Sequence, residues 1–281
     1  MIKTIVLMFL FFSMTVHALA LPVNRLNTHM VMPKTFTTNY DFEGIVALSN
    51  CSGGLIQLEG VSDANPALIM TNGHCIEGGF TPPGEFVSKR PSVRTFILLT
   101  PDGKSAGKVT ANQVVYSTMT KTDLTIYKLN ETYADIKAKF GIRPLTLSSS
   151  VPSMSEAIDI ISGYWIRGYS CSIENFVNEL HEEGYVWKNS LRFSRPGCET
   201  IGGTSGSPIT KAGTKIVIGI NNTGNEDGES CSMNNPCEVD QNGKISFTKG
   251  YSYGQQTYWL YSCLTTSNEV DIAVPGCQLP H

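Results

Sequence analysis

The chain is expected to fold as an all-β protein, either a barrel or a sandwich. Two patterns lead there. Short apolar or alternating runs, rich in β-branched residues, recur along its 281 residues with glycine and asparagine turn signals between them. Helical periodicity is weak throughout.

Taken in order, residues 1–20 are read as lying outside the fold. Lys3, the apolar run 5–12 and the small residues Ala18 and Ala20 make the pattern of a secretory signal peptide. That run is too short to span a bilayer, and no later run approaches spanning length. No membrane partner is therefore expected once the signal is removed. Residues 21–43, with Pro22 and Pro33 and no clear period, read as an N-terminal extension or propeptide. The folded body is assigned to 44–281.

Strands are expected at 44–49, after Cys51 through Ile56, and at 67–70, 95–100, 109–117 and 123–129, with a polar hairpin loop at 59–65. The second half repeats the style at 157–163, 185–187, 191–193 and 216–220. The acidic segment around His181 reads as solvated, and 223–244 as a polar loop. Residues 256–264 read as a short helix near the end.

Charge and cysteine usage narrow the function classes. The formal charge is −3, too mild and of the wrong sign for nucleic acid as a main partner. All eight cysteines follow residue 20, and an even number in an exported chain indicates four disulfides. There is no CxxC pair and no His/Cys cluster at zinc spacing, so neither metal nor cofactor is expected.

The chemistry concentrates in Gly202-Gly203-Thr204-Ser205-Gly206-Ser207-Pro208-Ile209. Glycines around one serine allow a tight turn that exposes the hydroxyl and aims backbone N–H groups beside it. An acyl-transfer site needs that pairing of nucleophile and oxyanion donors. A base must accompany the serine. After residue 20 the histidines are His29, His74, His181 and His281. Only His74 follows a buried strand, and it precedes a cysteine. Asp123 opens an alternating strand between the two.

The order is thus His74, Asp123, Ser205. Four motifs carry a resemblance: Cys51-Ser52-Gly53-Gly54, Thr71-Asn72-Gly73-His74-Cys75, Asp123-Leu124-Thr125-Ile126 and Gly203-Thr204-Ser205-Gly206-Ser207-Pro208. Together they resemble, in order and spacing, the secreted trypsin-like serine proteases of the chymotrypsin fold. The resemblance implies two six-stranded antiparallel β-barrels, the first over about 44–140 and the second over about 155–265, with the site in the cleft between them. It implies a catalytic triad of His74, Asp123 and Ser205. It also implies an oxyanion hole from the N–H groups of Gly203 and Ser205, and a Cys51–Cys75 disulfide. The six remaining cysteines allow 15 connectivities. Proximity along the chain pairs Cys171–Cys198, Cys231–Cys237 and Cys263–Cys277.

The chain departs from animal trypsins where an aspartate precedes the nucleophile: Thr204 stands there and cannot pair with a newly freed N-terminus. Ser207 makes Gly-x-Ser-Gly-Ser-Pro, a form similar to the bacterial glutamyl-endopeptidase-like branch. That branch's pocket histidine is replaced by Asn221, and its disulfide count is lower. Counting back from Ser205 puts Glu199 at the base of a substrate pocket, with Thr200, Asn222 and Gly224 lining it. Cleavage after Lys or Arg is then expected, unless Glu199 is a surface loop residue. Asn50, Asn130 and Asn221 begin N-x-Ser/Thr sequons, which matter only in a glycosylating host. The expected protein is a secreted, monomeric endopeptidase acting on proteins or peptides. The alternatives are a catalytically silent protease-like binding protein and an esterase, against which the residue order argues.

Overall fold

A computed structural model describes residues 40–281. The expected signal peptide and all but the last four residues of the expected extension lie outside the described residues.

The elements follow in chain order. The first half contains β1 (Ile45–Ala47), β2 (Ser52–Leu58), β3 (Pro66–Thr71), β4 (Phe86–Pro91), β5 (Thr95–Leu99), β6 (Ser105–Thr118) and β7 (Leu124–Thr132). Helix α1 (Tyr133–Phe140) and β8 (Leu145–Leu147) lead into the second half. There follow β9 (Ala157–Ser162), β10 (Arg167–Glu182), β11 (Tyr185–Phe193), β12 (Pro208–Lys211) and β13 (Ile216–Gly224). The last strands are β14 (Cys237–Val239), β15 (Ile245–Ser246) and β16 (Ser252–Gln256), and a 3-10 helix closes the series at Tyr258–Cys263.

Strand pairing closes twice. In the first half the ladder runs β1-β5-β6-β7-β3-β2 and returns to β1. In the second it runs β13-β12-β9-β10-β11-β16 and returns to β13. Closure removes the sheet edges that would otherwise expose unpaired backbone groups. The short strand β8 pairs in parallel with both β2 and β13 and so links the two rings. These strand pairings are parallel, whereas those within each ring are antiparallel, as expected of the barrels.

Alternation along each strand fills the rings. Val46, Leu55, Ile69, Phe96, Val109 and Tyr127 pack one core, and Ile158, Ile160, Ile173, Leu191, Phe193 and Ile209 pack the other. A further cluster draws Ile45, Ile56 and Met70 from the first half together with Leu145, Leu147, Val217 and Ile220, so apolar burial continues across the junction.

Several expectations are corrected. The segment around His181, expected to be solvated, is the end of the 16-residue strand β10, paired on both sides. Residues 185–193 form one strand rather than two. The C-terminal helix is a 3-10 helix. The helix α1 had no strong periodic signal; local chemistry makes it. Thr132 accepts from the Asp135 N–H while Asp135 accepts from the Thr132 N–H, a reciprocal cap, and Gly141 ends the helix at φ 70°. All four disulfides form: Cys51–Cys75, Cys171–Cys198, Cys231–Cys237 and Cys263–Cys277. Such a set suits an extracellular or periplasmic compartment. Among the described residues no helix is long and apolar enough to cross a membrane.

Candidate active site

His74 sits on a 3-10 turn, Gly73–Cys75, at the end of β3. Asp123 immediately precedes β7, which pairs with β3, so neighbouring strands deliver both residues to one edge. The His74 N–H donates to Asp123 Oδ1 at 3.0 Å, and His74 Nδ1 lies 2.6 Å from Asp123 Oδ2. Asn72 adds a bond from Nδ2 to the Asp123 carbonyl at 2.9 Å. Gly73 is required by space: a Cβ there would stand 2.0 Å from the Thr118 carbonyl oxygen and 2.8 Å from Asp123 Oδ1. The loop is further anchored by the Cys51–Cys75 disulfide and by Arg94, which donates to the Cys75 carbonyl, to Asn50 Oδ1 at 2.6 Å and to the Tyr127 hydroxyl at 3.0 Å.

Asp123 is fully buried, while the His74 side chain keeps 20% of its surface exposed. Burial pulls the imidazole pKa down, but the charge and hydrogen bond of Asp123, with a smaller push from Glu182, hold it above the ordinary 6.5. The disulfide sulfurs lie near His74, within 4.8 Å of its ring nitrogen. Their bonding to each other leaves no thiolate to act as a metal ligand.

Ser205 arrives from the other ring, on the turn before β12. Its hydroxyl donates to the Asn222 carbonyl at 3.2 Å, rather than to His74. Its own carbonyl accepts from the Ser52 N–H at 2.8 Å, a bond between the two rings. Among the described residues, neither the Gly203 N–H nor the Ser205 N–H has an acceptor, whereas the intervening Thr204 N–H bonds the Ile201 carbonyl at 3.0 Å. The two free donors are held by what grips their loop. Trp165 Nε1 donates to the Gly202 carbonyl at 2.8 Å, fixing the peptide that carries the Gly203 N–H. Ser52 Oγ donates to the Gly203 carbonyl at 3.1 Å and accepts from the Tyr164 N–H at 3.1 Å. Gly203 itself has φ +88°, a region open to glycine. Thr204 is buried, with its hydroxyl 3.5 Å from the Tyr169 hydroxyl, so uncharged groups occupy the place of the trypsin ion pair.

His74 and Ser205 line one cleft of about 590 Å³, counting its open mouth. Thr200, Asn222 and Gly224 line it too. Glu199 does not. Its side chain is 43% exposed, lies 3.4 Å from Arg195 Nε and accepts from the Gly197 N–H at 2.9 Å. The Cys171–Cys198 disulfide draws residue 198 into the core, where it is 1% exposed, and turns its neighbour outward. Glu199 thus lies on the surface loop and outside the cleft lining.

The polar loop 223–244, read from the sequence as following the pocket, supplies part of the opposite wall; the hairpin part was not read from the sequence. Glu182, Tyr185 and Trp187 come from the β10–β11 hairpin, and Glu226 and Met233 from the loop after β13. Tyr185 and Trp187, aromatic residues of the strand expected at 185–187, offered a signal; Glu182 offered none.

No curated protein sequence matches the chain. Among solved structures, the MamO protease domain from Magnetospirillum magneticum aligns at 13% identity and TM-score 0.48, covering 80% of this chain and 97% of its own. Cellulomonas bogoriensis chymotrypsin and Thermobifida fusca Protease A each align at 13% identity and TM-score 0.41, covering 78% of this chain and 91% of theirs. The model of the trypsin-like peptidase domain matches residues 51–220. That span is more than half of the chain and runs from Cys51, just before β2, into β13, taking in the histidine and serine turns; the chain belongs to the trypsin-like peptidase family.

Proposed function

We propose that the protein is a secreted serine endopeptidase that cleaves peptide bonds through an acyl-enzyme on Ser205. The observation that carries this reading is the 2.6 Å contact between His74 Nδ1 and Asp123 Oδ2 at the wall of a cleft that Ser205 shares. With Nδ1 engaged, Nε2 is left to act as base.

The steps follow from the groups present. The Ser205 hydroxyl turns about χ1 from the Asn222 carbonyl to the imidazole as substrate enters; such bonds are often loose before substrate binds. His74 removes its proton while Oγ attacks the scissile carbonyl. The Gly203 and Ser205 N–H groups receive the oxyanion. Asp123 steadies the imidazolium, which then protonates the leaving amine. Water repeats the sequence in reverse and releases the acid product. The mature enzyme is read as a monomeric peptidase domain over 44–281, exported by the 1–20 signal, with its triad split between a first barrel near 44–140 and a second near 155–265. Its Gly-x-Ser-Gly-Ser-Pro turn is similar to the glutamyl-endopeptidase-like branch. Its specificity is read instead as basic, for Lys or Arg.

The second reading, a silent binding protein, draws on the Ser205–Asn222 bond, which occupies the hydroxyl. A fluorophosphonate probe separates the two. Labelling of the wild type at Ser205, absent in Ser205→Ala, supports the enzyme. A wild-type protein that never labels, despite an intact fold by circular dichroism, supports the binder.

A further inference from the structure

The cleft has a wall that the peptidase chemistry does not use. Glu182 closes β10, opposite Tyr185 of β11, across a turn formed by Glu183 (φ 45°) and Gly184 (φ 85°). The hairpin tip is docked on the segment just before Asp123. Lys121 donates from its N–H to the Val186 carbonyl at 3.0 Å, the Lys188 N–H donates to the Lys121 carbonyl at 2.8 Å, and Trp187 Nε1 donates to the Met119 carbonyl at 3.0 Å. This docking brings Glu182 close enough to His74 for the two charges to interact.

Glu182 is 4% exposed. Its Oε1 accepts from the Asn234 N–H at 2.8 Å; Oε2 has no partner at hydrogen-bond geometry, though the Thr223 side chain stands near enough to lower the carboxyl pKa. Burial raises its pKa above the usual carboxylate range, against opposing pulls from Thr223, the Asn234 N–H and His74. Two further groups lining the cleft, on β13, are equally unfulfilled. Asn222, 2% exposed, has neither Oδ1 nor Nδ2 bonded, and Asn221, also 2% exposed, has Oδ1 free. Buried polar groups are almost always paired, so an unpaired set lining one cleft is open to a ligand that enters it. Three of the four open valences here are acceptors and one of those is a carboxylate oxygen. A ligand rich in donors and positively charged fits them; a carboxylate does not.

We infer that Glu182 is the specificity residue of this cleft, and that its free oxygen, with the amide oxygens of Asn221 and Asn222, takes the ammonium or guanidinium of a substrate lysine or arginine. The inference rests on the peptidase reading for its substrate, and it replaces Glu199 as the source of basic specificity. Tyr185 and Trp187, their rings parallel within 5° at 6.2 Å, supply a flat apolar wall for the aliphatic stem or the guanidinium plane. Exposed Glu226 adds negative charge at the rim. A bound cation also offsets what it costs to keep Glu182 ionised in a buried wall.

The test is a peptide-library digest by the full-length protein and by Glu182→Gln, with rates normalised to sites labelled by fluorophosphonate. Glutamine keeps the acceptor for the Asn234 N–H and removes the charge. At one substrate position the wild type should favour Lys or Arg over norleucine and Gln by about 10- to 100-fold, the factor expected for a charge-assisted hydrogen bond. Glu182→Gln should lose most of that ratio. Labelled protein with no basic preference, with a preference for Gln or Glu, or with a preference that survives Glu182→Gln overturns the inference and leaves the peptidase reading intact. Absence of labelling sinks the peptidase reading instead. Calorimetric titration of the wild type with benzamidine needs neither turnover nor a foldable variant. Benzamidine should bind, and the neutral isostere benzamide should not; equal behaviour of the two overturns the inference.

Discussion

At the scale of single residues, the candidate site turns on where protons sit. Asp123 holds His74 Nδ1 and carries no solvent exposure, so its carboxylate is dedicated to the imidazole. Asp123→Asn preserves an oxygen for the His74 N–H but presents an amide to the ring. Turnover is expected to fall by about 10⁴-fold with the fold unchanged, the loss known for this exchange in the Ser-His-Asp triad; steady-state kinetics on labelled sites check this. The raised His74 pKa fixes the sign of the pH response. Catalysis needs the neutral ring, so activity is lost as pH falls through that pKa. The acid limb of kcat/KM should therefore lie above pH 6.5, the ordinary histidine value. Glu182→Gln removes one of the charges that raise it and should move the limb down. A limb at or below 6.5 in the wild type would contradict the electrostatic account. Asn221 shows how a motif can mislead: it begins a sequon, yet it is 2% exposed in β13 and inaccessible to a glycan.

At the scale of elements, two loops hold the candidate oxyanion donors and the acidic wall proposed to set specificity. Trp165 reaches from the turn after β9 to the Gly202 carbonyl. Trp165→Phe keeps the ring's bulk and removes the bond. It should lower kcat by about 10-fold with little change in KM, because a looser donor fails the transition state more than the ground state. A change confined to KM would assign Trp165 to substrate binding. The Cys231–Cys237 bridge closes a separation of 6 residues, and its loop meets the hairpin through the Glu183 N–H to Cys231 carbonyl bond at 2.9 Å. Loop-closure entropy gives so short a bridge about 2 kcal/mol. Replacing both cysteines by serine should cost that much in denaturant melts and blunt the discrimination between basic and neutral substrates. The β10 strand explains why this wall was hidden from sequence reading. Its tail, Glu179-Leu180-His181-Glu182-Glu183, looks solvated because acids dominate it. In the fold Glu179 pairs with Lys188 and His181, and Leu180 is fully buried.

At the scale of the whole molecule, the candidate site exists only where two closed rings meet. His74 and Asp123 belong to one ring and Ser205 to the other, so any loosening of the junction separates them. Ser52 is a tie across that junction. It is fully buried, and its hydroxyl serves the Gly203 carbonyl, the Tyr164 N–H and the Ser162 hydroxyl at 2.9 Å. Ser52→Ala strands those groups and should cost about 1–3 kcal/mol of stability, the desolvation penalty of unpaired polar groups. Thermal melts together with fluorophosphonate labelling rates check this; a neutral variant with full reactivity would show that water replaces the hydroxyl.

The residues alone determined the all-β class, the His74–Asp123–Ser205 order, the disulfide count and the glycine turn beside Ser205. Each is a local or periodic property, written in neighbouring residues. Only the tertiary structure decided which acid faces the cleft. Glu199 and Glu182 are alike as letters, and both stand in polar segments. One is turned to solvent by the disulfide at Cys198, and the other is buried by a hairpin that docks beside Asp123. Burial depends on contacts between distant parts of the chain, and no local pattern records them.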